Sequence, residues 1–175
     1  MSEIEDCQKC VLGTLENNVK WGKSASIGTK FEVIFVLQSP KMNKTNIEEV
    51  QMLRNVCTEV GIKEEDYGIL YMVKCSNIDN SPPNIEIILQ CTEEHLVKEL
   101  DKYKPRIIIA VGRVVSDYFG AHLGGSTRWK KSRVFSVYSP TAEKYNPQMK
   151  TRIIEMFKWI RDEIYNKNTM TKWSE

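Results

Sequence analysis

The segment P-R-I-I-I-A-V-G-R, residues 105–113, decides the fold. Its apolar residues are consecutive, several of them are β-branched, and a proline precedes them while a Gly-Arg pair follows. A short apolar run without polar alternation is typical of a central strand in a parallel sheet that helices cover on both faces. The segment therefore predicts a buried strand over residues 106–111 that turns directly into a helix.

Three more runs have the same character: residues 31–37 (FEVIFVL), 68–73 (GILYMV) and 134–138 (VFSVY). Helical patterns fill the intervals at residues 47–60, 83–103, 113–119 and about 147–165. This alternation predicts an α/β fold, a three-layer α/β/α sandwich with a central four-stranded parallel sheet and right-handed crossovers. No repeat, linker or low-complexity tract interrupts it, so we expect a single domain over residues 1–175.

Composition narrows the class of protein. The chain has 175 residues, 41% hydrophobic and 27% charged, which are values of a globular domain rather than a disordered chain. No apolar run approaches the roughly 20 residues that cross a bilayer, and residues 1–10 lack the apolar core of a signal peptide. We expect a cytoplasmic monomer that does not bind membranes. The net charge of +2 is too small to identify a nucleic-acid partner.

Five cysteines in a reducing compartment favour a metal or cluster site over disulfides. Cys7 and Cys10 form a C-x2-C pair, and Cys75 follows a predicted strand and lies sixteen positions before Cys91. Four converging thiolates suit an iron–sulfur cluster or zinc, while four buried free thiols are the plain alternative. Cys57 occupies an apolar helical position and is interpreted as a core thiol.

The carboxyl ends of the predicted strands are where an open α/β sheet binds ligands. Four short segments follow the strands: residues 38–40 (QSP), 74–76 (KCS), 112–113 (GR) and 139–141 (SPT). We therefore expect the functional site among these segments.

These segments and the cysteines together resemble the iron–sulfur (family 4 type) uracil-DNA glycosylases. The family's C-x2-C-x-L matches residues 7–12, and its V-K-C matches residues 73–75, with Cys91 at the family's spacing. Its P-[KR]-x-I-[IV]-A-[LV]-G-R matches residues 105–113, and its F-x-x-Y-H-P-S aligns with residues 135–141. The resemblance implies a uracil-DNA glycosylase-like fold, DNA as partner, and base excision. It also implies a 4Fe–4S cluster held by Cys7, Cys10, Cys75 and Cys91, with zinc as the alternative.

The departures from the family fall on its pocket residues. The carboxylate of G-E-A-P-G-x-x-E, which orients or activates water, aligns with Lys44, and the asparagine that reads uracil aligns with Tyr71. The histidine of H-P-S aligns with Ser139, and the family's G-R-P-F-V-G stretch is missing. These departures indicate either a base other than plain uracil or a chain without catalytic activity.

Candidate residues follow from these alignments. We assign catalysis to Ser139, Gln38, Asp79 and Lys44, and base binding to Tyr71, Ser39 and Asn80. Asp79 is the nearest substitute carboxylate by sequence, whereas Glu48 and Glu49 are expected to face solvent at a helix start. For Tyr71 a core role is the alternative, and for Lys44 plain solvent exposure.

DNA contacts are expected from two groups of residues. Strand-end turns supply one: Pro40, Gly112, Arg113, Pro140 and Thr141, which otherwise are simple turns and caps. Residues 122–133 (HLGGSTRWKKSR) read as a flexible basic loop whose Arg128, Lys130 and Lys131 contact a strand, or else as a solvated loop. Tyr145 aligns with the family's wedge into the base stack, or packs under the last helix.

Two functions remain open from the sequence. The first is a DNA glycosylase that flips out and excises a modified or bulky pyrimidine, such as a phage-modified cytosine in antiviral defence. The second is an inactive DNA-binding or replication-accessory module. Hydrolysis of free nucleosides is a third reading that leaves the wedge and the basic segment without a purpose.

Overall fold

The fold is built on one mixed sheet, seen in a computed structural model that describes residues 7–14, 31–41, 45–76 and 81–166. Its strands are β1 (Val33–Leu37), β2 (Gly68–Tyr71), β3 (Ile107–Val111), β4 (Ser126–Trp129) and β5 (Ser132–Val137). Their order is β2-β1-β3-β5-β4, and β2, β1, β3 and β5 run parallel. The four predicted strands and the α/β class are confirmed, with boundaries shifted by one to two residues.

A fifth strand corrects the four-stranded prediction. β4 pairs antiparallel with β5, Ser126 opposite Phe135 and Trp129 opposite Ser132. The stretch predicted to be a flexible loop is therefore a β-hairpin, whose turn places Lys130 at φ 51°. The sequence pattern did not predict β4, because this strand is only four residues long and lies half exposed at the edge of the sheet. It therefore has no continuous apolar run.

Helices cover both faces of the sheet. They are α1 (Val11–Thr14), α2 (Thr45–Val60), α3 (Ile85–Cys91), α4 (Val97–Tyr103), α5 (Arg113–Tyr118) and α6 (Met149–Tyr165). A π-helical turn, Thr92–Leu96, joins α3 to α4, and 3₁₀ turns occur at Glu64–Asp66 and Pro140–Lys144. The predicted helix over residues 83–103 therefore starts at Ile85, where the Asn84 side chain accepts a hydrogen bond from the Ile87 N–H at 2.9 Å.

A separate hydrophobic core packs on each face of β1. Phe35 packs on one side with α2 and α6, for example against Phe157. Ile34 packs on the other side with α3, α4 and α5, together with residues such as Leu100. This is the predicted three-layer sandwich. In the described part of the chain, no helix is both long and apolar enough to span a membrane.

Strand order locates the crevice of the sheet. The chain runs from β1 to β2 on one side and then returns to β3 on the other, so β1 and β3 are neighbours whose connections diverge. Open α/β sheets bind ligands where such connections separate, outside the carboxyl ends of the strands. Gln38 follows β1 and Gly112 follows β3, so both lie at this point.

Candidate functional site

A cavity of about 190 Å³ opens at this crevice. About 10–15 Å³ of such volume already holds one water, so the cavity admits a larger group. The cavity is lined by Gln38, Ser39, Lys41, Glu49, Ser81, Pro82, Val111, Gly112, Ser139 and Thr141. The sequence predictions Gln38, Ser39, Gly112, Ser139 and Thr141 are thus brought together around one space.

Ser139 is held by the start of the 3₁₀ turn that follows β5. Its Oγ accepts a hydrogen bond from the Thr141 N–H at 3.3 Å and lies 2.8 Å from Thr141 Oγ1. Pro140, which is buried, begins the turn and fixes its backbone. The hydroxyl of Ser139 is therefore oriented by its neighbours rather than free to rotate.

Glu49 brings a carboxylate into the cavity from α2. Burial raises the pKa of the Glu49 carboxyl above its usual value, while the charge of Lys41 and a hydrogen bond from Ser139 act in the opposite direction. Its neighbour Glu48 is exposed and pairs instead with Lys144. The expectation that both glutamates face solvent is correct for Glu48 and wrong for Glu49.

A sequence signal for Glu49 exists in the helical period. Leu53, Cys57 and Val60 form the buried stripe of α2, and Glu49 precedes Leu53 by four residues on the same stripe. Glu48 lies about 100° further around the helix. Reading the apolar stripe one turn toward the amino terminus would have selected the correct carboxylate.

Gly112 forms the floor of the turn between β3 and α5. Its φ of +86° is a conformation that glycine adopts without strain, and its N–H donates to the Val137 carbonyl at 2.8 Å. Apart from the adjoining residues of the chain, a Cβ atom at this position would have no heavy atom within 4 Å, so the backbone faces open space. A ligand can therefore approach the main chain closely at Gly112.

The predicted cysteine ligands meet at a second cavity. Cys7, Cys10, Cys75 and Cys91 all line it, together with Lys74, Gln90, Glu94 and His95 among others. Cys75 and Cys91 are buried, whereas Cys7 and Cys10 are half-buried. Four thiols from three parts of the chain thus share one corner of the molecule, as their spacing predicted.

Hydrogen bonds organise this corner around the sulfur atoms. The Lys74 N–H donates to Cys91 Sγ at 3.3 Å, and His95 Nε2 lies 3.4 Å from Cys7 Sγ. Gln90 Nε2 donates to the Lys9 carbonyl at 2.7 Å, which ties the amino-terminal segment to α3. Gly13 is required here, because a Cβ atom would lie 2.5 Å from the Cys7 carbonyl oxygen.

Two properties of the four thiols concern metal binding, namely their protonation and their geometry. Burial, with smaller contributions from Cys10 and Cys7, raises the pKa of Cys91 to about 11, although the backbone N–H and the charge of Lys74 act in the opposite direction. Within the described ranges, no three His, Cys, Asp or Glu side chains are close enough to hold a single metal ion. The four thiols line one cavity but do not form such a group.

Comparison with known proteins decides the family. The family model for the uracil DNA glycosylase superfamily matches residues 26–167. The chain belongs to the uracil-DNA glycosylase superfamily.

Two similar relatives are both named type-4 uracil-DNA glycosylase. The protein of Saccharolobus solfataricus is 28% identical over 94% of this chain and 85% of its own length. That of Archaeoglobus fulgidus is 26% identical over 90% of this chain and 88% of its own. The family and fold class predicted from the motifs are thereby confirmed.

One predicted residue of this glycosylase-superfamily chain, Tyr71, lies away from the cavity. Tyr71 is 2% exposed and packs in the core shared by α2 and α6, not among the described residues that line the cavity. Lys44, Asp79 and Asn80 fall outside the described residues. Their roles stay predictions.

The predicted DNA-contact residues divide between the two ends of the sheet. Pro40, Arg113 and Tyr145 belong to segments that follow β1, β3 and β5, and the Tyr145 ring is 87% exposed. Lys130 and Lys131 form the turn before β5, at the opposite end of a strand that spans roughly 20 Å. Lys130 also pairs with Asp101 at 2.6 Å, and Arg128 lines a groove beside α6.

Proposed function

We propose that this chain is a DNA glycosylase that flips a base out of DNA and excises it, leaving an abasic site. One observation carries the proposal: Gln38, Glu49 and Ser139, from three separate elements, line one cavity at the carboxyl edge of the sheet. Enzymes that act on a base within a duplex need such a recess to receive the everted nucleotide. The names of the similar relatives support the same reaction class.

The proposed substrate is a modified or bulky pyrimidine rather than plain uracil. Family resemblance puts asparagine at Tyr71 and histidine at Ser139, and a site built to hydrogen-bond one base edge rejects bases that leave its groups unpaired. Gln38 carries both a donor and an acceptor and suits a different pattern. Phage genomes contain such bases, so the proposal extends to a role in antiviral defence.

Bond cleavage in this pocket would depend on positioned polar groups. Ser139 is a weaker donor to developing negative charge than a histidine, but it is oriented by Thr141. Gln38 and Ser39 follow β1 and face the same space. Their proposed roles are to read the edge of the base and to hold it while the glycosidic bond stretches.

The proposal includes a 4Fe–4S cluster held by Cys7, Cys10, Cys75 and Cys91. Such a cluster binds each cysteine through its own iron, so four thiols around a cavity suit it better than a zinc ion, whose ligands lie about 2.0–2.3 Å from one point. The cluster would fasten the amino-terminal segment to α3. Base hydrolysis requires no electron transfer, so its proposed role is structural.

DNA contact is proposed at the cavity end of the sheet. The turns after β3 and β5 would contact the DNA phosphates on either side of the flipped nucleotide through Gly112, Arg113, Pro140 and Thr141. Tyr145 would insert between the stacked bases. Arg128, Lys130 and Lys131 would contact DNA at a distance from that nucleotide, since a whole strand separates the hairpin turn from the cavity. We propose that one domain acts as a monomer in the cytoplasm.

An inactive DNA-binding or replication-accessory module is the second candidate. The observation that favours it is the burial of Tyr71, which removes the side chain at the family's base-reading position from solvent. Such a module would bind DNA through the same turns without releasing a base.

The test is a panel of duplexes that differ in one nucleotide. The holoprotein is incubated with DNA carrying uracil, hydroxymethyluracil, hydroxymethylcytosine or glucosylated hydroxymethylcytosine, and abasic sites are then cleaved with alkali. We expect strand breaks on at least one modified substrate and their loss in Gln38→Ala. Tight binding without breaks on any duplex selects the accessory module.

A further inference from the structure

The inner stripe of α2 ends in a charged residue at the cavity. Leu53 and Cys57 are fully buried, and Glu49 occupies the equivalent position one turn earlier. α2 packs against the Pro140–Lys144 turn. The carboxylate of Glu49 is therefore directed at the space between β1 and the turn after β5, where Ser139 also lies.

Ser139 and Thr141 supply donors in sequence. Ser139 donates to the Glu49 carboxylate, and its Oγ in turn accepts from the Thr141 N–H at 3.3 Å. The Thr141 hydroxyl, 2.8 Å from Ser139 Oγ, can then act as the second donor to Ser139. Hydrogen bonds aligned in one direction polarise one another, which fixes the orientation of the carboxylate.

The charges around Glu49 keep it usable as a base. Burial raises the pKa of the Glu49 carboxyl, which makes the carboxylate a stronger proton acceptor, and the charge of Lys41 opposes part of that shift. Glu48, the preceding residue, forms a salt bridge with Lys144 at the surface. Among the described residues that line the cavity, Glu49 is the one with a carboxylate.

We propose that Glu49 is the catalytic carboxylate of this chain and takes the role that the family assigns to the position of Lys44. The proposal rests on the glycosylase function proposed above. The bond between C1′ and the base nitrogen breaks, and its electron pair leaves with the base. A water oxygen bonds to C1′, Glu49 accepts a proton from that water, and the departing base takes a proton from solvent.

The proposed catalytic carboxylate lies on a different element from the carboxylate of the family. The family carries its carboxylate in the loop after the first strand, whereas Glu49 is delivered by the first turns of the following helix. The Glu49 carboxylate, which α2 supplies, lies beside Ser139. Ser139, which replaces the family's histidine, therefore also orients the proposed catalytic carboxylate. Loss of one family residue is thereby coupled to gain of another.

The experiment compares two adjacent glutamates on the same helix. Glu49→Gln and Glu48→Gln are measured in single turnover on the panel duplex that the holoprotein cleaves fastest, together with DNA affinity and melting temperature. General-base catalysis contributes about 10²- to 10⁴-fold. We therefore expect Glu49→Gln to slow excision at least 100-fold with unchanged DNA affinity, and Glu48→Gln to stay within about threefold.

Chemical rescue separates a catalytic from a structural role. Glu49→Ala leaves room for a small carboxylate, so added formate should restore part of its excision rate and leave the unsubstituted protein unaffected. Equal rates for Glu49→Gln and Glu48→Gln, or no rescue by formate, overturn the assignment while the glycosylase function stands. No excision by the unsubstituted holoprotein on any duplex overturns both.

Discussion

The backbone N–H of Lys74 donates a hydrogen bond to the Sγ atom of Cys91, 3.3 Å away, although 17 positions separate them. Lys74 itself is buried, donates from Nζ to the Tyr71 carbonyl at 2.6 Å and pairs with Glu99. Because Cys75 is the next residue, this one lysine fixes the end of β2, the start of the π turn and two of the four thiols. Contacts within the protein therefore hold this corner together.

The first prediction concerns iron. Cys91→Ala should lose most of its iron and sulfide, because three thiolates remain where a 4Fe–4S cluster uses four. The matched control is Cys57→Ala, a fully buried cysteine in the other core, which should keep its iron and lose about 1 kcal/mol of unfolding free energy. Metal and sulfide analysis of the purified variants checks both.

Two results would contradict the cluster. Stoichiometric zinc without iron in the unsubstituted protein would establish the alternative metal. Retention of full iron and sulfide in Cys91→Ala would show that this thiol is not a ligand.

The second prediction concerns the reactivity of Cys57. Burial raises the pKa of its thiol to about 12, and a hydrogen bond with Tyr67 partly offsets that shift. The thiolate is the reactive form, so Cys57 in the folded protein should resist iodoacetamide at pH 8 and become alkylated faster as the pH approaches 12. Peptide mass spectrometry measures the modification, with protein unfolded in urea as the control.

The same shift has a consequence for stability. The folded pKa lies above the ordinary value of 9.0, so the unfolded chain loses this proton first as the pH rises. The stabilisation is complete below about pH 9 and is lost toward pH 12. Urea unfolding should show this alkaline loss reduced in Cys57→Ala. Rapid alkylation of the folded protein at pH 8 would contradict the buried placement.

Most of the fold follows from runs of apolar side chains. β1 and β3 are central strands with both faces buried, so their sequences lack polar interruptions and the pattern is unambiguous. β4 could not be found in this way, since an edge strand of alternating exposure such as Ser126–Trp129 resembles a loop. The π turn after Cys91 likewise has no separate signature within a continuous helical pattern.

The parts of the candidate site that depend on the spacing of residues along the chain could be predicted. The parts that depend on how a helix is rotated about its axis could not. The four cysteines that line one cavity were selected by their separations along the chain and by the resemblance to the family, and their role as ligands stays a prediction. Glu48 and Glu49 are adjacent in sequence, and only the orientation of α2 decides which one enters the cavity. Tyr71 was assigned by alignment, but its ring packs in the core.

The third prediction concerns the wedge. Tyr145 is 87% exposed, so Tyr145→Ala should change the unfolding free energy by no more than about 0.5 kcal/mol. It should slow excision from duplex DNA about tenfold or more and affect single-stranded DNA less, because only a duplex must be unstacked. Tyr145→Phe keeps the ring and serves as the control. Equal effects of Tyr145→Ala on both substrates would count against a wedge.

The fourth prediction separates binding from excision. Lys130 and Lys131 form a turn at the far end of β5 from Ser139. Replacing both with alanine should weaken DNA binding and reduce the slope of log affinity against log salt by about one per lost phosphate contact. The single-turnover excision rate at saturating protein should not change. A lower rate at saturation would place these lysines in the reaction itself, and an unchanged salt slope would remove them from DNA binding.

We propose that the cavity lined in part by Gln38, Glu49 and Ser139 excises a modified pyrimidine in preference to uracil. A competition assay tests it most directly: equal amounts of uracil-containing and modified duplexes of identical sequence are mixed with limiting holoprotein, and the released bases are quantified by mass spectrometry. We predict that one hydroxymethylated or glucosylated pyrimidine is released at least tenfold faster than uracil. Release of uracil as fast as, or faster than, every modified base would contradict the account.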